Sequence, residues 1–387
     1  MILPATRTDL RPLTPMTLAN IASPSSIPSV LAERRGHLGV ITLHRPQALN
    51  ALTLDMVRAV AAQLVAWRDD AEVGAVLLRG ANRPGKAPAF CAGGDIRFFH
   101  DAVLAGDARV EDFFTEEYML DHLVHVFPKP TIALMDGVSL GGGMGLAQGT
   151  KLRIDTEYSR VAMPETNIGL FPDVGGGWFL ARFCPGHMGE FLALTGHVLA
   201  AADALGVGLA DMMAPSARLD ELVGAVADAT RRDGTGALEA ARAFAIEAGA
   251  APLAGEFARI DRVFAHDSVA AIAAALEQEE GDFARAARAD LARRSPLMMA
   301  VSLEQIRRAR TMSLADDLRM ERGLVRHAFH LRPGASEAVE GIRALAIDKD
   351  HHPRWNPARI ADIDPLMVQA FFDSPWPAAV HPLRDLA

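Results

Sequence analysis

Five short apolar runs between residues 39 and 164, punctuated by glycine and proline, confine the first part of this chain to strands alternating with helices. GVITLHR (39–45) reads as a buried strand, and the turn signal RPQALN leads into LTLDMVRAVAAQLVAW (52–67), whose apolar positions recur at helical spacing. AEVGAVLLRGA (71–81) and KPTIALMDG (129–137) read as further strands, KLRIDT (151–156) and SRVAMP (159–164) as shorter ones. Apolar strands alternating with helices predict an α/β domain whose parallel strands are buried on both faces.

After about residue 235 the glycine-punctuated pattern gives way to amphipathic helices. GTGALEAARAFAIEAGAAPLAG (234–255) reads as a boundary helix and loop. Ser295 with Pro296 predicts an N-cap and first-turn proline, and Ser313 with Asp316 a capping box before Leu314, Leu318, Leu324 and Phe329. The expected organisation is a leader over 1–30, an α/β core over 31–235 and a mostly helical domain over 236–387. The leader has one acid, Asp9, beside Arg7, Arg11 and several Ser and Pro; this composition predicts disorder, with a transit peptide as the alternative.

With 387 residues, half of them hydrophobic, the chain is long enough for a large buried core. A formal charge of -9 and the absence of any long run of like charge argue against a nucleic-acid surface. An anionic small molecule stays open, since all but four of the 39 basic residues are arginine, the better bidentate phosphate ligand. Cys91 and Cys184, far apart in apolar settings, argue against a disulfide framework and a thiolate metal site, and point to a reducing cytoplasm. No run approaches the roughly 18 uninterrupted apolar residues of a membrane helix.

Two glycine clusters carry chemical promise. AFCAGGDI (89–96) follows a loop, and DGVSLGGGMGL (136–146) follows a strand and opens a helix. Three consecutive glycines let a ligand approach the backbone, and a helix start presents free N–H groups; tight packing is the plainer explanation of such a run. Neither cluster has the spacing of a dinucleotide fingerprint or a phosphate loop. MPETNIGLFPDVGGG (163–177) then sets two acids, Glu165 and Asp173, in an otherwise apolar segment.

Together, in this order, these three segments resemble the enoyl-CoA hydratase/isomerase superfamily, the crotonase fold. FFTEEYML (113–120), GLFPDVGGG and EGIRALAIDKDHHPRW (340–355) resemble one branch of it, the 3-hydroxyisobutyryl-CoA hydrolases. The likeness runs from about residue 32 to the C-terminus. It implies a crotonase-like parallel β-spiral core, here followed by a mostly α-helical C-terminal domain, that binds an acyl-CoA thioester. Its motifs place two backbone N–H donors for the carbonyl oxygen at Gly94 and Gly142. Glu165 falls on the family's catalytic carboxylate, and Asp173 on a position that is glycine in typical hydratases and aspartate in the hydrolase branch. Glu117, the second glutamate of EEYML, is implied to contact substrate through its 3-hydroxyl.

The hydratase pattern carries a second water-holding glutamate where this chain has Gly145, which argues against hydration. The expected activity is thioester hydrolysis, on 3-hydroxyisobutyryl-CoA in valine breakdown and also on 3-hydroxypropionyl-CoA. Either Glu165 attacks to form a mixed anhydride, or the Glu165–Asp173 pair activates water. The alternatives are an enoyl-CoA hydratase and a non-catalytic acyl-CoA-binding protein. CoA arrives with the substrate, so no separate cofactor is implied. Asp95 is expected to order the loop carrying Gly94, Asn50 to lie in a CoA-lining loop, and Lys349 or Arg354 to face CoA phosphates or form a surface turn. His122 with His125, and His327 with His330, lack a third ligand in any metal motif. Family members are often trimers, which makes a homo-oligomer the expected assembly, against a helical domain that packs on its own core.

Overall fold

The computed structural model describes residues 27–387, so most of the expected leader lies outside the described residues. Among the described residues ten strands form two sheets. They are β1 (Val30–Arg35), β2 (Leu38–Leu43), β3 (Ala75–Gly80), β4 (Ala89–Cys91), β5 (Thr131–Met135), β6 (Val138–Leu140), β7 (Leu152–Asp155), β8 (Arg160–Ala162), β9 (Leu199–Ala200) and β10 (Met212–Met213). The larger sheet has the order β1-β2-β3-β5-β7-β10 and the smaller β4-β6-β8-β9. All pairings are parallel except the β1–β2 hairpin, turned at Gly36 with φ 59°, and β8 with β9. Successive coils give one strand to each sheet: β3 then β4, β5 then β6, β7 then β8. The corner between β5 and β6 requires glycine, since Gly137 has φ 85° and a Cβ there would overlap the Pro88 carbonyl.

Strand side chains alternate between two apolar cores, as a period of two dictates. Leu38, Val40, Leu77, Ile132, Leu134 and Ile154 face Leu222, Val223 and Val226 of the helix Leu219–Ala229. Ile41, Leu43, Val76, Leu78, Ala133 and Met135 face inward with Met56, Val57, Val60 and Leu64 of α1 (Leu54–Asp69). That inner core continues without a break through Leu297, Ile306, Leu318 and Leu324 to Leu383, so the C-terminal helices are packed on it. Ser295 and Ser313 cap the helices Pro296–Ala309 and Leu314–His330 by accepting the N–H of Met298 and of Asp316. Among the described residues no helix is long and apolar enough to cross a membrane.

Candidate active site

The chain leaves β4 through Ala92–Asp95 and enters α2 (Ile96–Ala105). Asp95 caps α2 and accepts Arg45 Nη2 at 2.8 Å, which pins the loop. Leu52 N donates to Gly93 O at 2.8 Å and Asp95 N to Leu52 O at 2.9 Å. That bridge leaves the intervening Gly94 N–H turned away, with no acceptor among the described residues. Gly142 opens α4 (Gly142–Gln148), where the first N–H has no partner within the helix. An ideal Cβ on Gly142 would lie 3.5 Å from Gly94 N and would collide with Glu117 Oε1. Gly94 N, Gly142 and the Glu117 carboxyl therefore lie close together.

Glu117 and Tyr118 come from α3 (Arg109–His125), and Glu165 opens a single 3₁₀ turn, Glu165–Ile168, closed by Gly169 at φ 69°. A Cβ on Gly141 would stand 2.8 Å from Glu165 Oε1, while Glu165 Oε2 is buried without a partner. Asp173 precedes α5 (Gly176–Phe183), and its Oδ2 accepts the Tyr118 hydroxyl at 2.9 Å. Gly94, Gly142, Glu117, Glu165 and Asp173 all line one cavity of about 170 Å³, whose apolar wall includes Ile96, Phe99, Phe114, Leu140 and Leu170.

Burial raises every one of these acids, because a charge loses its hydration there. Glu165 is pushed well up by burial and then by Asp173. Glu117 is pushed well up by burial and then by Asp121, Asp173 and Glu165. Asp173 rises least, to about 6, because the Tyr118 hydroxyl bonds its charged form. The two acids titrate as a pair, with Asp173 the readier to ionise.

Three participants escaped the sequence reading. Tyr118 stands beside Glu117, but nothing local says that its hydroxyl meets an acid on a distant loop. Asp121 is buried with both oxygens unpartnered, beside Gly145; its spacing from Glu117 puts both acids on one face of α3 and was a usable signal. Glu321 reaches the Asp173 loop from the C-terminal region. Other candidates sit elsewhere. Asn50 is fully buried and spends its side chain on Arg45 N, Ala81 O and Ala89 O. Arg354 lies against Glu340, and from its segment only Leu345 lines the cavity. His327 meets the Phe371 carbonyl and His330 meets Glu111. Among the described residues no three His, Cys, Asp or Glu side chains are grouped to hold a metal.

The enoyl-CoA hydratase/isomerase family model matches residues 38–372, a span that includes both glycine loops and the acids lining the cavity. The chain belongs to the enoyl-CoA hydratase/isomerase family. It is 38% identical over 89% of its length to a zebrafish (Danio rerio) protein named 3-hydroxyisobutyryl-CoA hydrolase, mitochondrial, covering 89% of that protein. The human protein of the same name is 38% identical, with 86% of each chain covered. Among solved structures, a carnitinyl-CoA dehydratase from Mycobacterium thermoresistibile superposes with a TM-score of 0.83 at 37% identity, covering 92% of this chain and 99% of that one. An enoyl-CoA hydratase from Rhodobacter sphaeroides gives 0.80 at 37% identity, covering 90% and 98%. The mitochondrial names of the hydrolases lend no support to the cytoplasmic expectation.

Proposed function

We propose that this chain is an acyl-CoA thioester hydrolase that cleaves 3-hydroxyisobutyryl-CoA to the free hydroxy acid and CoA, a step of valine breakdown. The observation that carries it is the meeting of two unused backbone N–H groups with the Glu165–Asp173 pair in one small cavity. Attack on a thioester puts negative charge on the carbonyl oxygen, and the N–H groups of Gly94 and Gly142 are the donors for it. With the pair's negative charge on Glu165, that side chain attacks to give a mixed anhydride that water cleaves. With the charge on Asp173, the pair takes a proton from water as it attacks. CoA leaves as the thiolate in both, and no cofactor enters either route. Glu117 is the partner of the substrate 3-hydroxyl: its Oε1 is buried, unpartnered and at the cavity wall.

A hydratase, as the Rhodobacter sphaeroides neighbour is named, is the second candidate. It wants a glutamate at position 145. An ideal Cβ on Gly145 would lie 2.6 Å from Val174 Cβ and 3.0 Å from Asp121 Cγ, so the Asp173 loop and α3 fill that space. The loop that supplies the hydrolytic acid thus excludes the hydrating one. Both cysteines are free and buried, which fits a reducing compartment.

Thiol release from a panel of acyl-CoAs tests the proposal. The 3-hydroxyacyl esters should be cleaved fastest, with 3-hydroxypropionyl-CoA behind 3-hydroxyisobutyryl-CoA by one methyl group, a difference of roughly 1–3 kcal/mol. Asp173→Asn should lower turnover at least about tenfold, some 1.4 kcal/mol of barrier. Loss of the conjugated absorbance of crotonyl-CoA without thiol release would make it a hydratase instead, and tight binding of CoA analogues with no thiol released would make it a binding protein.

Tyr118→Phe reports on pH. A hydrogen bond to the ionised form lowers an acid's pKa, so its loss raises Asp173 above its value of about 6. The acid limb of kcat/KM should then move to higher pH while the plateau above it stays close to wild type. An unmoved limb would separate Tyr118 from Asp173 in the reaction.

A further inference from the structure

Asp173 rides on a segment that nothing local explains. Val174 has φ 57° and Gly175 φ 82°, and a β-branched residue in the left-handed region costs about 1–3 kcal/mol. The restraint comes from the far end of the chain. Glu321, on the helix Leu314–His330, accepts Gly175 N at 2.7 Å and Gly177 N at 3.0 Å. Gln305, on the helix Pro296–Ala309, donates to the Pro172 carbonyl at 2.6 Å and to Glu321 Oε1 at 2.8 Å. Asp317 takes the next donor, Trp178 N, at 2.8 Å. All three side chains are fully buried. The backbone is therefore gripped on both sides of Asp173, by partners 133 and 146 positions away in sequence.

We propose that Glu321, braced by Gln305, is the positioning residue for Asp173: its carboxyl holds the strained turn in the one conformation that aims the Asp173 side chain into the cavity. Glu321 touches no reacting atom. A buried carboxyl is costly unless its oxygens are satisfied, and three donors converge on this one. The first turn of α5 is buried, so its N–H groups need protein acceptors, and Glu321 and Asp317 supply them. The Pro172 carbonyl is not part of α5, yet it is held by the same network.

Because this inference rests on the hydrolase proposal, the test separates the two. kcat and KM for 3-hydroxyisobutyryl-CoA are measured in Glu321→Gln, in Asp173→Asn and in the double variant. Either orientation of the glutamine amide turns an NH₂ toward a main-chain or Gln305 donor, so the grip fails without loss of volume. Expected are a fall in kcat of at least about tenfold, since small misplacement of a working group is enough for that, KM within about threefold, and no further loss when Glu321→Gln is added to Asp173→Asn. Equal losses in both backgrounds would show a merely structural role and overturn the assignment, as would wild-type turnover in Glu321→Gln. Wild-type turnover in Asp173→Asn would instead remove Asp173, and with it any positioning of Asp173, from the mechanism, whereas absence of thiol release from the wild type would overturn the hydrolase proposal itself. If Glu321→Gln does not fold, Gln305→Met leaves the carboxyl and its two main-chain bonds in place and removes the hold on Pro172 together with the brace on Glu321; the same kcat-selective, non-additive loss is expected there, and unchanged kcat overturns the proposal.

Discussion

Glu165→Gln should lower the turnover of thiol release by about 10²- to 10⁴-fold, some 3–5 kcal/mol of barrier, with KM little changed. The amide cannot attack a thioester, which closes the anhydride route, and it cannot share or relay the proton that Asp173 takes from water, which cripples the other. The substitution nearly preserves shape, and Glu165 Oε2 has no hydrogen-bond partner whose loss would disturb the fold. Melting temperature should therefore stay near wild type, and CoA analogues should still bind. Single-turnover hydrolysis of the wild type in ¹⁸O-labelled water tests the anhydride route: label in the Glu165 carboxyl shows that an anhydride formed there and was opened at the Glu165 carbonyl, since direct attack of water labels only the product. A variant that keeps wild-type turnover would remove Glu165 from the chemistry.

Gly142→Ala keeps the backbone N–H but should cost about 10²-fold in kcat, the loss expected when the reacting group is misplaced by about an ångström. Gly142 does not occupy the left-handed region, so its backbone accepts alanine. The methyl group, however, collides with Glu117 Oε1 and lies 3.5 Å from Gly94 N. It takes the space where the thioester oxygen would meet its two donors. Turnover should fall while global stability changes little, which thermal unfolding and thiol release measured on the same preparation would show. Gly141→Ala is a poorer probe, because its φ of 49° adds backbone strain to the steric effect.

Much of this was legible in local pattern. β2, β3, β5, β7 and β8 are apolar runs with sharp glycine or proline ends, and such runs declare themselves wherever a strand is buried on both faces. β1 did not, because VLAERR is an edge strand with mostly exposed, charged side chains. The two-residue strands β9 and β10 carry no period at all. For the site, motif order located Gly94, Gly142, Glu117, Glu165 and Asp173, and all five line the same cavity.

What local pattern omits is contact across long sequence separations. The Tyr118 bond to Asp173 joins residues 55 positions apart, and the Glu321 bond to Gly175 spans 146. On their helices Tyr118, Asp317 and Glu321 look like ordinary members of an amphipathic surface. Only the packing of α3 and the C-terminal helices around the Asp173 loop turns them inward, and no spacing rule records that packing. The same holds for Gly145: its missing side chain reads as a departure from a pattern, whereas the reason, Val174 and Asp121 filling the space, is three-dimensional.

The most direct measurement is a structure of the protein with an unreactive 3-hydroxyacyl-CoA analogue in which a ketone replaces the thioester. Its carbonyl oxygen should lie about 2.7–3.1 Å from both Gly94 N and Gly142 N, with the Glu165 carboxyl facing the carbonyl carbon and Asp173 beside it. A carbonyl seated away from those two amides, or one with neither acid in reach, would contradict the hydrolase account.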